Sequence, residues 1–173
     1  FATACRSDRV YLWDSTTKLE LGMGELSVPS SSNEAVACAF SADGERLAVG
    51  TFDGAVVVFD LAKFAGGALK LLRNDKGTLP LHDRSREISE LKYSPNNKML
   101  AVAGHDTMIE SFNTVGDAYT RLARCGGHSA TVAHLDWSID CKVLQSNCNA
   151  RELLYWDVWW GYDDPADGEQ PKR

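Results

Sequence analysis

Apolar residues along this chain fall in short runs, and each run is cut off by a tight polar segment. Residues 35–40 alternate apolar with small side chains and lead into Ser41-Ala-Asp-Gly44. Residues 46–50 form a second run, ended by Thr51-Phe-Asp-Gly54, and 55–60 a third with a Val-Val-Val centre. Runs of this length bounded by Gly, Asp and Ser predict β-strands joined by tight turns, the final Gly of each turn tolerating positive φ. The same order recurs at 88–93, 99–103 and 108–112, with turns at Ser94-Pro-Asn-Asn97 and around His105-Asp106. It recurs again at 132–137, 143–146 and 153–156, with turns at Ser138-Ile-Asp-Cys141 and 147–151. At the start of the chain, 1–5 and 10–13 match only the last two of these strands. A fourth, outer strand is expected at 19–26, 69–73 and 119–125. The middle strands are nearly continuous apolar runs, as expected of strands covered on both faces. No stretch of ten or more residues keeps a helical period without Gly or Pro, so the fold class is all-β.

Each repeat closes on an aromatic residue followed by Asp or Asn: Trp13-Asp14, Phe59-Asp60, Phe112-Asn113 and Trp156-Asp157. These aromatics are 46, 53 and 44 residues apart. A period in the forties ending on such a pair resembles the WD40 β-propeller blade. The resemblance implies a propeller segment of about three and a half four-stranded blades, in units 1–27, 34–74, 87–125 and 127–162, with a polar tail or linker at 163–173. A closed ring needs four to eight blades, so this segment does not close by itself. Because blades are stabilised by stacking on their neighbours, the remainder of its own propeller or a completing chain is an expected partner.

The fourth repeat is more specific. Gly127-His128-Ser129 is followed by His134-Leu-Asp-Trp137-Ser138, then Ser146-Asn147, then Leu154-Tyr-Trp-Asp157. This string resembles the tandem atypical propeller of the echinoderm microtubule-associated protein-like (EML) family. Lys92-Tyr93-Ser94 with Leu100-Ala-Val and His105-Asp106 in the third repeat, and Leu47-Ala-Val-Gly-Thr51 in the second, resemble the same family. The likeness covers roughly residues 1–157 and is sharpest from about 88 onward. It implies a non-catalytic scaffold that contacts tubulin or a microtubule or axonemal assembly through propeller faces and loops. It implies a place in the cytoplasm and cytoskeleton, with the cilium or axoneme as one setting. The alternative is a WD40 structural subunit of another large complex, unrelated to tubulin.

Composition narrows the field. Acidic residues outnumber basic ones by 24 to 18, a formal charge of −6, and no basic stripe is visible, so nucleic acid is not an expected partner. No apolar run reaches membrane-spanning length, so no membrane partner is expected either. Microtubule surfaces are acidic, so any contact must come from shape and local patches rather than bulk charge. The five cysteines form no Cys-x-x-Cys pair, and several fall in predicted strands as small apolar residues, which fits a reducing compartment.

Candidate site residues follow from the blade grammar. WD40 blades often carry a buried hydrogen-bond network of His, Ser or Thr, Asp and Trp, with the Asp six residues before the closing aromatic. Asp53 and Asp106 fit that spacing, and Trp13, Trp156 and His128 are the other expected members. In the fourth repeat the Asp position is Ala150, so His128 is expected to lack its carboxylate, and in the first it is Ser7. His128 and His134 have no ligand-spaced Cys, so no metal site is expected. The acidic stretch 163–169 has Pro165 at the third position of a calcium loop and lacks the closing Glu. No hydrolase, phosphate-loop or dinucleotide motif is present, so neither enzyme activity nor a cofactor is expected. Trp159, Trp160 and Phe64 are the candidate partner contacts, with 62–86 expected as a projecting loop.

Overall fold

The computed structural model describes residues 1–26, 34–74, 77–78, 86–117 and 119–158. The chain divides into two compact units, residues 1–88 and 89–173. The first half contains β1 (Ala2–Ala4), β2 (Arg9–Trp13), β3 (Glu20–Glu25), β4 (Ala35–Phe40), β5 (Arg46–Thr51) and β6 (Val56–Asp60). Four two-residue strands follow: β7 (Gly67–Ala68), β8 (Lys70–Leu71), β9 (Arg73–Asn74) and β10 (Gly77–Thr78). Then come β11 (Ile88–Tyr93), β12 (Met99–Gly104), β13 (Met108–Asn113) and β14 (Thr120–Gly126). The last three are β15 (Val132–Trp137), β16 (Val143–Cys148) and β17 (Leu153–Asp157). Among the described residues the other regular element is a turn of 3-10 helix at Val115–Asp117.

Four sheets of three or four strands result: β1-β2-β3-β7, β4-β5-β6-β8, β11-β12-β13-β14 and β15-β16-β17. They are the four blades of a partial propeller, and the central strands fall where the apolar runs predict them. In the first unit two blades pack through a core containing Val10, Leu12, Leu47, Val49, Val57, Phe59 and Leu69. In the second, two blades pack through Ala101, Ile109, Leu135, Trp137, Leu144 and Trp156.

The turns repeat down to single hydrogen bonds. Ser41, Ser94 and Ser138 each open a turn, and the Oγ of each accepts the backbone N–H five residues on, at 2.9, 3.0 and 2.9 Å. The same hydroxyls donate to Asp43, Asn96 and Asp140 at 2.5, 2.7 and 2.6 Å. The fourth residue of each turn has positive φ: Gly44 at 75°, Asn97 at 59° and Cys141 at 61°. The next hairpin repeats this with Gly54, Thr107 and Arg151.

One part of the fold departs from expectation. Within the expected projecting loop, residues 67–71 pair with the blades. β7 runs parallel to β3 at the edge of the first blade, and β8 pairs antiparallel with β6 of the second. Leu69 lies between them, in the shared core. Two glycines make this possible. Gly66 and Gly67 take φ of 101° and 92° to turn the chain back. Gly22 leaves room for the strap, since a Cβ there would lie 2.2 Å from the Gly67 carbonyl oxygen. Phe64 is half-buried and packs against this core, over Gly22.

Candidate functional site

The hairpin β16–β17 builds a buried polar cluster in the second unit. Its register pairs Leu144 with Trp156, so Ser146 sits two residues along from the tryptophan on the neighbouring strand. The Trp156 indole N–H donates to Ser146 Oγ at 2.7 Å. His128, just ahead of β15, brings Nε2 to the same oxygen, also at 2.7 Å. Its ring meets Trp156 edge-on at 6.1 Å. All three side chains are buried.

The carboxylate of this network comes from Glu152. His128 Nδ1 lies 3.5 Å from Glu152 Oε2. This corrects the expectation that Ala150 leaves His128 without an acidic neighbour. In the second blade the hairpin closes with Thr51 N–H bonded to the Ala55 carbonyl; here Cys148 N–H bonds to the Glu152 carbonyl. Glu152 therefore stands where Ala55 stands in the second blade. The acid has moved two residues on, from the turn to the first residue after it, and a longer side chain spans the difference.

Glu152 is firmly held. The Ser129 backbone N–H donates to Oε2 and the Ser129 hydroxyl to Oε1, each at 2.8 Å. The Cys148 thiol donates to Oε2 at 3.2 Å. The Ser129 N–H, followed by its hydroxyl and the thiol, lowers the Glu152 carboxyl to about 2. An indole nitrogen can only donate, so Ser146 Oγ accepts from Trp156. The arrangement that fits these contacts has the Ser146 hydroxyl donating to Nε2 and Nδ1 carrying the hydrogen that faces the ionised Glu152.

The other expected site residues make hydrogen bonds within their own blades. In the first blade the Trp13 indole donates to Thr3 Oγ1 at 2.9 Å. Asp53 accepts from the Thr51 hydroxyl at 2.8 Å, and Asp106 accepts the Met108 N–H at 3.2 Å, each within its own turn. Trp159 and Trp160 and the stretch 163–173 lie outside the described residues. Ser146 enters the sequence reading only as part of a repeat motif, and Thr3, Cys148 and Glu152 are not singled out there as site residues. The first two carry a usable signal: a residue ten before each closing tryptophan bears a hydroxyl, whereas ten before Phe59 and Phe112 stand Val49 and Val102. An aromatic ring without an N–H needs no acceptor.

A second polar feature lies on β11 and β15. A groove of about 360 Å³ is lined by Glu90, Lys92, His134, Asp136, Gln145 and Asn147, with Leu135 and Leu153. Lys92 pairs with Asp136 at 3.4 Å and His134 with Glu90 at 3.8 Å. Burial pushes the Glu90 carboxyl up, against the pull of His134 and Lys92. A register shift between Val132 and His134 marks a bulge that re-aims this part of β15.

For a cation, the described residues offer one group of three ligand side chains, His128, Cys148 and Glu152. No cysteine near His128 is visible in the sequence spacing; the hairpin brings Cys148 there. All five cysteines are free thiols.

Comparison with known proteins agrees with the blade architecture. The family described as echinoderm microtubule-associated protein second beta-propeller matches residues 1–168. Mouse echinoderm microtubule-associated protein-like 1 is 31% identical over 159 residues, covering 90% of this chain and 17% of that protein. The 77 kDa echinoderm microtubule-associated protein of Lytechinus variegatus is 37% identical over 123 residues, 69% of this chain and 17% of that protein. The counterpart in Strongylocentrotus purpuratus is 37% identical over 108 residues, 61% of this chain and 16% of that protein. The chain thus spans less than a fifth of the length of these relatives. With its four-sheet blade grammar and this match, the chain belongs to the echinoderm microtubule-associated protein family and corresponds to its second β-propeller.

Proposed function

We propose that this chain is a non-catalytic scaffold that contacts tubulin or a microtubule or axonemal assembly. The observation that carries the reading is the match of residues 1–168 to the second propeller of a family whose members are named for microtubule association. The setting that follows is the cytoplasm and cytoskeleton, the cilium included. The polar cluster supports a structural role: Glu152, Ser146 and His128 are each committed to hydrogen bonds or ion contacts inside the blade. The groove on β11 and β15 is the contact surface within this reading. It presents Lys92 and His134 beside Glu90 and Asp136, so a partner with an acidic surface is recognised by local pairing rather than net charge. A pull-down of soluble tubulin beside microtubule co-sedimentation tests this. Saturable association that weakens in Lys92→Glu supports it, and absence of association in both assays removes it.

A further inference from the structure

We propose that His128, Cys148 and Glu152 form a zinc-binding site of the second unit. Three ligand atoms of different kinds converge there: an imidazole nitrogen, a sulfur and a carboxylate oxygen, all within 4.8 Å of one another. Two of the edges are 3.5 Å, from Nδ1 to Oε2, and 3.2 Å, from Sγ to Oε2. Zinc bonds of about 2.0–2.3 Å place neighbouring ligand atoms of a tetrahedron roughly 3.3–3.8 Å apart, so these edges nearly fit a cation as they stand. The combination of thiolate, imidazole and carboxylate selects zinc over magnesium or calcium, which take oxygen ligands.

The site is built in depth. Ser146 fixes the far side of the His128 ring, the outer support that a metal-bound histidine needs. Ser129 holds Glu152 with two hydrogen bonds. Cys148 ends β16, and its backbone closes the hairpin onto Glu152. Three protein ligands leave the fourth position to water or to a side chain of a bound protein.

Loading requires a definite proton balance. The Cys148 thiol loses its proton to solvent and binds as thiolate. On loading, the His128 ring hydrogen moves from Nδ1 to Nε2, where Ser146 Oγ accepts it, so the ring stays neutral and Nδ1 binds the metal. Glu152 binds as the carboxylate it already is. One proton leaves per zinc bound.

The test strips the chain with a chelator and titrates it with zinc against a chromogenic competitor, with cobalt(II) as a parallel probe. One equivalent of zinc is expected, with cobalt giving a tetrahedral visible spectrum and a thiolate charge-transfer band. Cys148→Ala is expected to weaken zinc at least about a hundredfold, while Cys38→Ala leaves it unchanged. The wild-type cobalt spectrum does not depend on any variant folding. A featureless octahedral cobalt spectrum, or zinc affinity equal in Cys148→Ala and wild type, overturns the proposal.

Discussion

Trp156 donates its indole N–H to Ser146 Oγ at 2.7 Å, across the β16–β17 hairpin and ten residues away in sequence. Trp13 does the same to Thr3 in the first blade, over the same sequence interval. The common cause is register: the hydroxyl lies two residues along from the tryptophan's cross-strand neighbour. The two blades that close on phenylalanine carry buried Val49 and Val102 at that place. Each blade thus satisfies the chemistry of its own closing ring.

Replacing Ser146 by Ala removes the acceptor for Trp156 and the partner of His128 Nε2 inside a buried cluster. The expected loss is about 2–4 kcal/mol, because a buried donor, the Trp156 N–H, and a buried acceptor, His128 Nε2, are left without partners. Thr3→Ala is expected to cost less than about 1 kcal/mol, since Thr3 is exposed and water replaces it. Urea unfolding of both variants measures the contrast, and equal losses would contradict the register argument.

Glu152 gives the fold a pH dependence with a definite sign. Its hydrogen bonds lower the folded carboxyl to about 2 from an ordinary 4.5. A depressed carboxyl contributes stability that is fully present above its unfolded value and is lost as pH falls through the folded one. Wild type is therefore expected to exceed Glu152→Gln in stability at pH 7, with the gap closing between about pH 4.5 and pH 2. Unfolding curves across that window supply the check; a gap that widens on acidification would contradict the assignment.

Gly22 is expected to tolerate no side chain. A Cβ there would meet the Gly67 carbonyl oxygen at 2.2 Å and the Phe64 ring at 2.6 Å. Gly22→Ala should cost about 1–3 kcal/mol, with the strap lifting from β3. Hydrogen exchange reads this directly at Leu69, whose N–H donates to the Met23 carbonyl at 2.9 Å. Unchanged protection at Leu69 would show that the strap is held elsewhere.

Thr107 adopts φ of 68°, in the turn where the second blade has Gly54. A β-branched residue is strained there, and Thr107→Gly is expected to raise stability by about 1 kcal/mol. Thermal unfolding checks the direction.

Much of the fold is legible in the sequence because it rests on local chemistry. Short apolar runs set the strands, and Ser41, Ser94 and Ser138 announce turns whose hydrogen bonds span only five residues. The strap is not legible, since β7 and β8 are two residues each and depend on a space left by Gly22, more than forty positions earlier. The polar cluster is half legible. His128 and Trp156 stand out by motif, whereas Glu152 is hidden because its side chain reaches back to a place that spacing assigns to Ala150. Cys148 reads as a buried strand cysteine until the hairpin sets it beside Glu152.

The central claim is association with tubulin, and the most direct measurement is sedimentation velocity of this chain with soluble tubulin, paired with co-pelleting on assembled microtubules. Saturable association is expected in at least one of the two, weakened by Lys92→Glu without loss of folding. Two proteins sedimenting independently, with the chain left in the supernatant of the microtubule pellet, would contradict it.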